Sequence, residues 1–199
     1  MKHLARLAPL LLSALISVCA LSACKMNPPP KGLDNPELIV GGLRQVNPLD
    51  IVVLPIQNNT GRNGLPLDEL RRAFHAGLVR QKYSPLSLAF VDEHAVEAAY
   101  TPGELQEQAI LQVFVNNWDD SQMRSMSRLR IQAEVYLLDS RNPDLRQALW
   151  GGKVDRRVDL SQEAPGLANP NAFVTLAIEK FTEDVLASLP PRDPRRVSP

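Results

Sequence analysis

The chain has 199 residues, its 22 Lys and Arg are balanced by 22 Asp and Glu, and 44% of it is hydrophobic. That suffices for one real core, and the even charge excludes a nucleic-acid binder that relies on a basic, phosphate-tracking surface. Two cysteines, Cys19 and Cys24, exclude a disulfide scaffold and a Cys-rich zinc site.

Residues 1–23 read as a secretory signal. Lys2 and Arg6 open it, and Leu7 to Ala20 is almost unbroken apolar sequence. That run is about 14 residues, short of the roughly 20 that cross a bilayer. Leu21-Ser22-Ala23-Cys24 follows and resembles the bacterial lipobox, with small residues before a Cys. The resemblance implies cleavage before Cys24 and lipidation of its thiol, so that the chain meets the membrane through a lipid anchor. The plainer alternative is an ordinary cleaved signal with a coincidental Cys. Lys25 stands where lipoproteins retained at the inner membrane carry Asp, which implies the outer membrane, facing the periplasm.

Residues 24–48 are rich in Pro and Gly and read as a tether, with room for a short strand at Glu37 to Val40. Residues 49–189 alternate strand-like and helix-like segments. Asp50 to Ile56 is a continuous β-branched run, the mark of a strand buried on both faces. Pro66 opens a helix with Leu67, Leu70, Phe74 and Leu78 on one side, ending near Lys82. Ser87 to Val91 reads as a second strand, parallel to the first through a right-handed crossover. Asp92 then caps a short helix to Tyr100, and Thr101-Pro102-Gly103-Glu104 has the form of a capping box starting another.

Ala109 to Trp118 reads as the third strand. From Arg128 to Leu137, apolar Leu129, Ile131, Ala133, Val135 and Leu137 alternate with polar neighbours, giving a strand with one buried and one wet face. Gln147 to Leu160 repeats the pattern. Asn169-Pro170 caps a last helix with Val174, Ile178, Phe181 and Val185 as its apolar stripe. Residues 190–199 hold Arg192, Arg195 and Arg196 among four prolines and read as a disordered tail. The fold class is therefore α+β: a two-layer mixed β-sheet with helices packed on one face and the other face open.

No residue pattern argues for catalysis, a cofactor or a metal. His75 sits among arginines on the first helix and reads as solvated. His94 follows Asp92 and Glu93 but has no second His at ligand spacing. Gly61-Arg62-Asn63-Gly64 lacks the lysine of a phosphate loop, and Asp119-Asp120 reads as a hairpin turn. One feature points to a protein partner. If Leu111, Val113 and Val115 face the helices, Phe114 and Trp118 point to the open face, where Tyr136 also lies. Arg128 and Arg130 rim them, so these five residues form a candidate partner-binding group. Against this stands burial of Phe114 and Trp118 by the tether or the chain ends.

Ile51 to Gly61 resembles the first strand and turn of envelope proteins with the fold of the TolB amino-terminal domain. Leu67 to Asp92 resembles the helix and strand of the penicillin-binding-protein activators within that group. Tyr136 to Asn142, then Leu149-Trp150-Gly151-Gly152, is similar to the late hairpin of those activators and of neisserial-type surface lipoproteins. The resemblance implies a TolB amino-terminal-like fold and an envelope location, and it brings no catalytic residues. The function it favours is a lipid-anchored, non-enzymatic binding or regulatory protein, with activation of peptidoglycan synthesis as one form. The alternative is an oligomeric subunit of an envelope secretion, transport or surface assembly.

Overall fold

The computed structural model describes residues 42–95, 100–142, 148–162 and 170–195. The signal, Cys24, most of the tether including 37–40, Asn169 and the last four residues lie outside the described residues.

Strand β1, Asp50–Val53, forms where the β-branched run is densest. It lies between β3, Ser84–Pro85, and β4, Ala109–Asp119, parallel to both. The expected single strand to Ile56 is broken, because Pro55 has no N–H to give the ladder. Pairing with β4 resumes at β2, Gln57–Asn58. From β4 the chain passes through the short helix α4, Met123–Met126, and runs as an antiparallel meander through β5, Arg128–Asp139, and β6, Ala148–Asp159. The sheet order is β3-β1-β4-β5-β6, with β2 also on β4, so the sheet is mixed, as expected.

Two long helices cover one face. Helix α2, Leu67–Arg80, buries Leu70, Phe74 and Leu78, each four residues after the last. Asp68 and Glu69 in its first turn and Arg80 in its last complement the helix dipole. Helix α5, Pro170–Leu186, lies alongside it, and Phe74 meets Phe181 edge-on with centroids 6.5 Å apart. The Leu186 side chain of α5 packs onto Gly77 of α2, where a Cβ would stand 2.4 Å from Leu186 Cδ1. Beneath them lies the main core, with Ile51, Val53, Leu111, Val113, Val115, Leu129, Ile131, Val135 and Trp150.

Several expected elements change character. Ser87 to Val91 is not a strand. Ser87 caps helix α3, Leu88–His94, its Oγ accepting from the Phe90 N–H at 3.3 Å. Strand pairing ends at the Leu86 N–H, which still donates to Ile51 O. Asp92 is thus inside a helix rather than its cap. Val91 and Ala95, one turn apart, pack on Val52 from the side of the sheet opposite α2 and α5. The second face is therefore covered at this end.

The Thr101–Glu104 box makes a turn and no helix. Its Thr101 N–H does donate to Glu104 Oε2 at 3.2 Å, but Gly103 sits at φ 90°, outside helical space. The end of the expected tether is structured as helix α1, Leu43–Val46, with Leu43 buried in the main core. Nor is the start of the tail loose. Pro190 O accepts from Tyr83 OH at 2.8 Å, the Arg192 N–H donates to Gln81 O, and Asn47 Nδ2 donates to Asp193 O.

Candidate functional site

The surface on the side of the meander away from α2 and α5 is graded from apolar to charged. Cross-strand register sets the gradient. At one end Val52, Ile110 and Leu138 stand side by side, all buried. One row on, Tyr136 lies opposite Gln112 and Gly151. Gly151 has φ +130°, and a Cβ there would stand 2.0 Å from Val135 O, so the position accepts only glycine. Tyr136 is 1% exposed and Phe114 8%, clustered with Leu138 and Ala148, and the Tyr136 hydroxyl donates to Glu134 Oε2. Neither aromatic is presented to solvent.

Trp118 is not on this face at all. The pairing of β4 with β5 slips between Val115 and Asn117, leaving Asn116 as an extra residue. The bulge reverses the alternation beyond it. Trp118 then lies opposite Ile131 and joins the main core, 3% exposed. The five-residue group expected from strict alternation is therefore not assembled. Phe114 and Tyr136 share a buried cluster, Arg128 and Arg130 share the charged end, and Trp118 is elsewhere.

The charged end is a lattice of ion pairs. Arg128 Nε donates to Asp159 Oδ2 at 2.7 Å, directly across the β5–β6 ladder. Arg130 grips Asp155 with Nε and Nη2 at 2.9 and 2.6 Å, and Gln132 adds a third donor. These contacts, the Arg130 hydrogen bond first, pull the Asp155 carboxyl down to about 2. Asp159 is held still lower, first by hydrogen bonds from Ser161 and then by Arg128. Asn116 bridges Asn59 and Glu134. At the sheet's end Arg62 donates to Asp120 and to Trp118 O, tying the β2–α2 loop to the β4–β5 connection. Lys153 and Arg157 are exposed and form no ion pair among the described residues. Such a rigid array of fixed charges can recognise a surface of matching charge.

No family model matches the chain, and no curated protein matches it. Among solved structures it is similar to lipoprotein GNA1162 from Neisseria meningitidis, with 21% identity and a TM-score of 0.46, over 67% of this chain and 96% of that one. It is similar to the PelC dodecamer from Paraburkholderia phytofirmans, with 13% identity and a TM-score of 0.45, over 74% and 91%. A third is the hypothetical protein CT253 from Chlamydia trachomatis, with 11% identity and a TM-score of 0.46, over 70% and 94%.

The remaining polar groups are tied into the fold. His75, expected to be solvated, is half-buried, with its Nε2 3.2 Å from Leu86 O. His94 stacks on Phe90 and bonds its carbonyl. Asp119 Oδ1 accepts from the Ser121 N–H, the turn chemistry its sequence implies. Among the described residues no group of three His, Cys, Asp or Glu could hold a metal, and no helix is long and apolar enough to cross a membrane. Two buried charges escape sequence reasoning. Arg71 donates twice to Val53 O and once to Asp92. The Glu107 carboxylate collects Tyr100 OH and the N–H groups of Gly103 and Leu105. The partners of Arg71 come from other elements and leave no local pattern, whereas those of Glu107 lie within seven residues of it, in the turn that leads into β4. A cavity of about 250 Å³ lies between α1, Tyr83 and Pro190 to Asp193. Burial there pushes the Tyr83 hydroxyl up to about 12, against the pull of Arg192.

Proposed function

We propose that this chain is a lipoprotein of the bacterial cell envelope, anchored through Cys24, that works by binding another envelope protein rather than by catalysis. The observation that carries the reading is the ordered series of Lys2 and Arg6, the apolar run from Leu7, and Leu21-Ser22-Ala23-Cys24. The anchor holds the domain at the outer membrane, facing the periplasm. The charged end of the outer sheet face is the recognition surface, because its side chains are fixed on rigid strands by cross-strand pairs. Regulation of peptidoglycan synthesis is the finer form of this reading, supported by the likeness of residues 67–92, 136–142 and 149–152 to the activator group.

Labelling of growing cells with an alkyne fatty acid tests the anchor. The full chain should take up label and fractionate with membranes, and Cys24→Ser should lose both. An unlabelled wild-type chain overturns the anchor. A photo-crosslinker at Gln132 tests the surface: an adduct with one distinct envelope protein is expected, and its absence overturns the binding reading.

A further inference from the structure

Strand β6 is bonded to β5 on one side and to no strand on the other among the described residues. It runs for twelve residues. A long free edge offers its unpaired N–H and C=O groups to another strand, and charges on it usually protect it. Here the charges have a particular order. On the outer face they read Lys153, Asp155, Arg157, Asp159, alternating in sign.

A row of one sign would repel a second copy. An alternating row can match its own reversal, depending on where the two-fold axis falls. With the axis at Asp155, that residue meets its twin, Lys153 meets Arg157, and Asp159 meets Gly151, so every charged pair opposes like charges. With the axis at Arg156, Lys153 meets Asp159 and Asp155 meets Arg157, and symmetry repeats both pairs. Opposite charges directly across a ladder are stabilising and like charges are not.

Three further features favour the axis at Arg156. Lys153 and Arg157 have no ion pair within the described chain, and each gains one. Asp155 and Asp159 are already held in place from β5 by Arg130 and Arg128, and their carboxylates retain free acceptor positions. On the helix side of the sheet, Val154 falls opposite Val158, apolar against apolar. The cost lies on the axis, where the half-buried Arg156 meets its own copy. Its long side chain can turn away from the axis toward solvent.

We propose that β6 is a homodimerisation edge, at which a second copy of this chain adds its β6 antiparallel about Arg156 and joins the two sheets into one. The interface is isologous, so it closes at two copies. It leaves the outer sheet face open and does not depend on the lipid anchor.

Cysteine crosslinking in cells making the full chain tests the edge and its register together. Arg156→Cys should give a disulfide-linked species of twice the chain's mass. Lys153→Cys should not, because its twin lies about 20 Å away along the paired strands. Adding Lys153→Glu and Arg157→Glu to Arg156→Cys makes the edge wholly acidic without breaking any ion pair within the described chain. Its crosslink should fall at least tenfold at a temperature where a thermal melt shows the purified domain still folded, although Lys153→Glu sets a second carboxylate opposite Glu134. The proposal is overturned if Arg156→Cys stays monomeric, if it crosslinks to a protein of another mass, if Lys153→Cys crosslinks equally well, or if the acidic edge leaves the yield unchanged.

Discussion

Trp118 packs opposite Ile131 beneath α2 and α5, with its indole removed from water. Trp118→Ala should therefore cost about 3–5 kcal/mol, the range for emptying a large aromatic site. For a domain of this size that lowers Tm by on the order of 10 °C, readable in a thermal melt. A Tm within a degree or two of wild type would contradict the assignment of Trp118 to the core. The signal for its position is present in the sequence but easily passed over. Asn116 and Asn117 are two polar residues in succession between Val115 and Trp118, which breaks period two and marks an inserted residue. Strict alternation read through that break places the indole on the wrong face. By contrast the outward placement of Arg128 and Arg130 was legible, since no break interrupts Leu129 to Leu137 on the core side. The partners Asp155 and Asp159 were not, because they depend on the register between two strands.

Helix α3 and its attachment show how elements are joined beyond their own sequence. Arg71 reaches from α2 to Val53 O at the end of β1 and to Asp92 on α3, so one buried guanidinium links three elements. Arg71→Ala should destabilise the domain by about 1–3 kcal/mol, because Val53 O loses both donors in a place water reaches poorly. Asp92→Ala should cost less than 1 kcal/mol, since Asp92 is half exposed and the Val53 bonds remain. Urea unfolding of the two variants checks this order, and equal losses would place the weight on the ion pair instead. The long elements, α2, β4, β5, β6 and α5, were legible from periodicity alone, with ends within a few residues. The short ones were not. Ser87-Leu88-Ala89-Phe90-Val91 suits a strand or a helix by composition, and the choice is made by the Ser87 cap and by Val91 and Ala95 meeting Val52. Such contacts span about forty residues of chain and leave no mark in a five-residue window.

At the scale of the molecule, both ends of the domain meet on one side. Leu43 and Asn47 lie beside Tyr83, Pro190 and Asp193, so the residues that lead in and those that lead out share a seam. A chain ending at Leu189 loses the acceptors of Tyr83 and Asn47 and the donor to Gln81 O. It should unfold about 1–3 kcal/mol more easily, seen as an earlier urea midpoint. An unchanged midpoint would mean that the proline-rich end contributes nothing, as its composition alone implies. The mixed sheet has a consequence in time. Synthesis delivers β1 first, yet its main partner, β4, follows more than fifty residues later. The segment from β4 to β6, in contrast, closes by turns between neighbours. Local pairings form quickly and distant ones slowly. The meander is thus the natural first structure, and β1, although earliest to appear, has only the two-residue β3 beside it until the later half of the chain provides its seat.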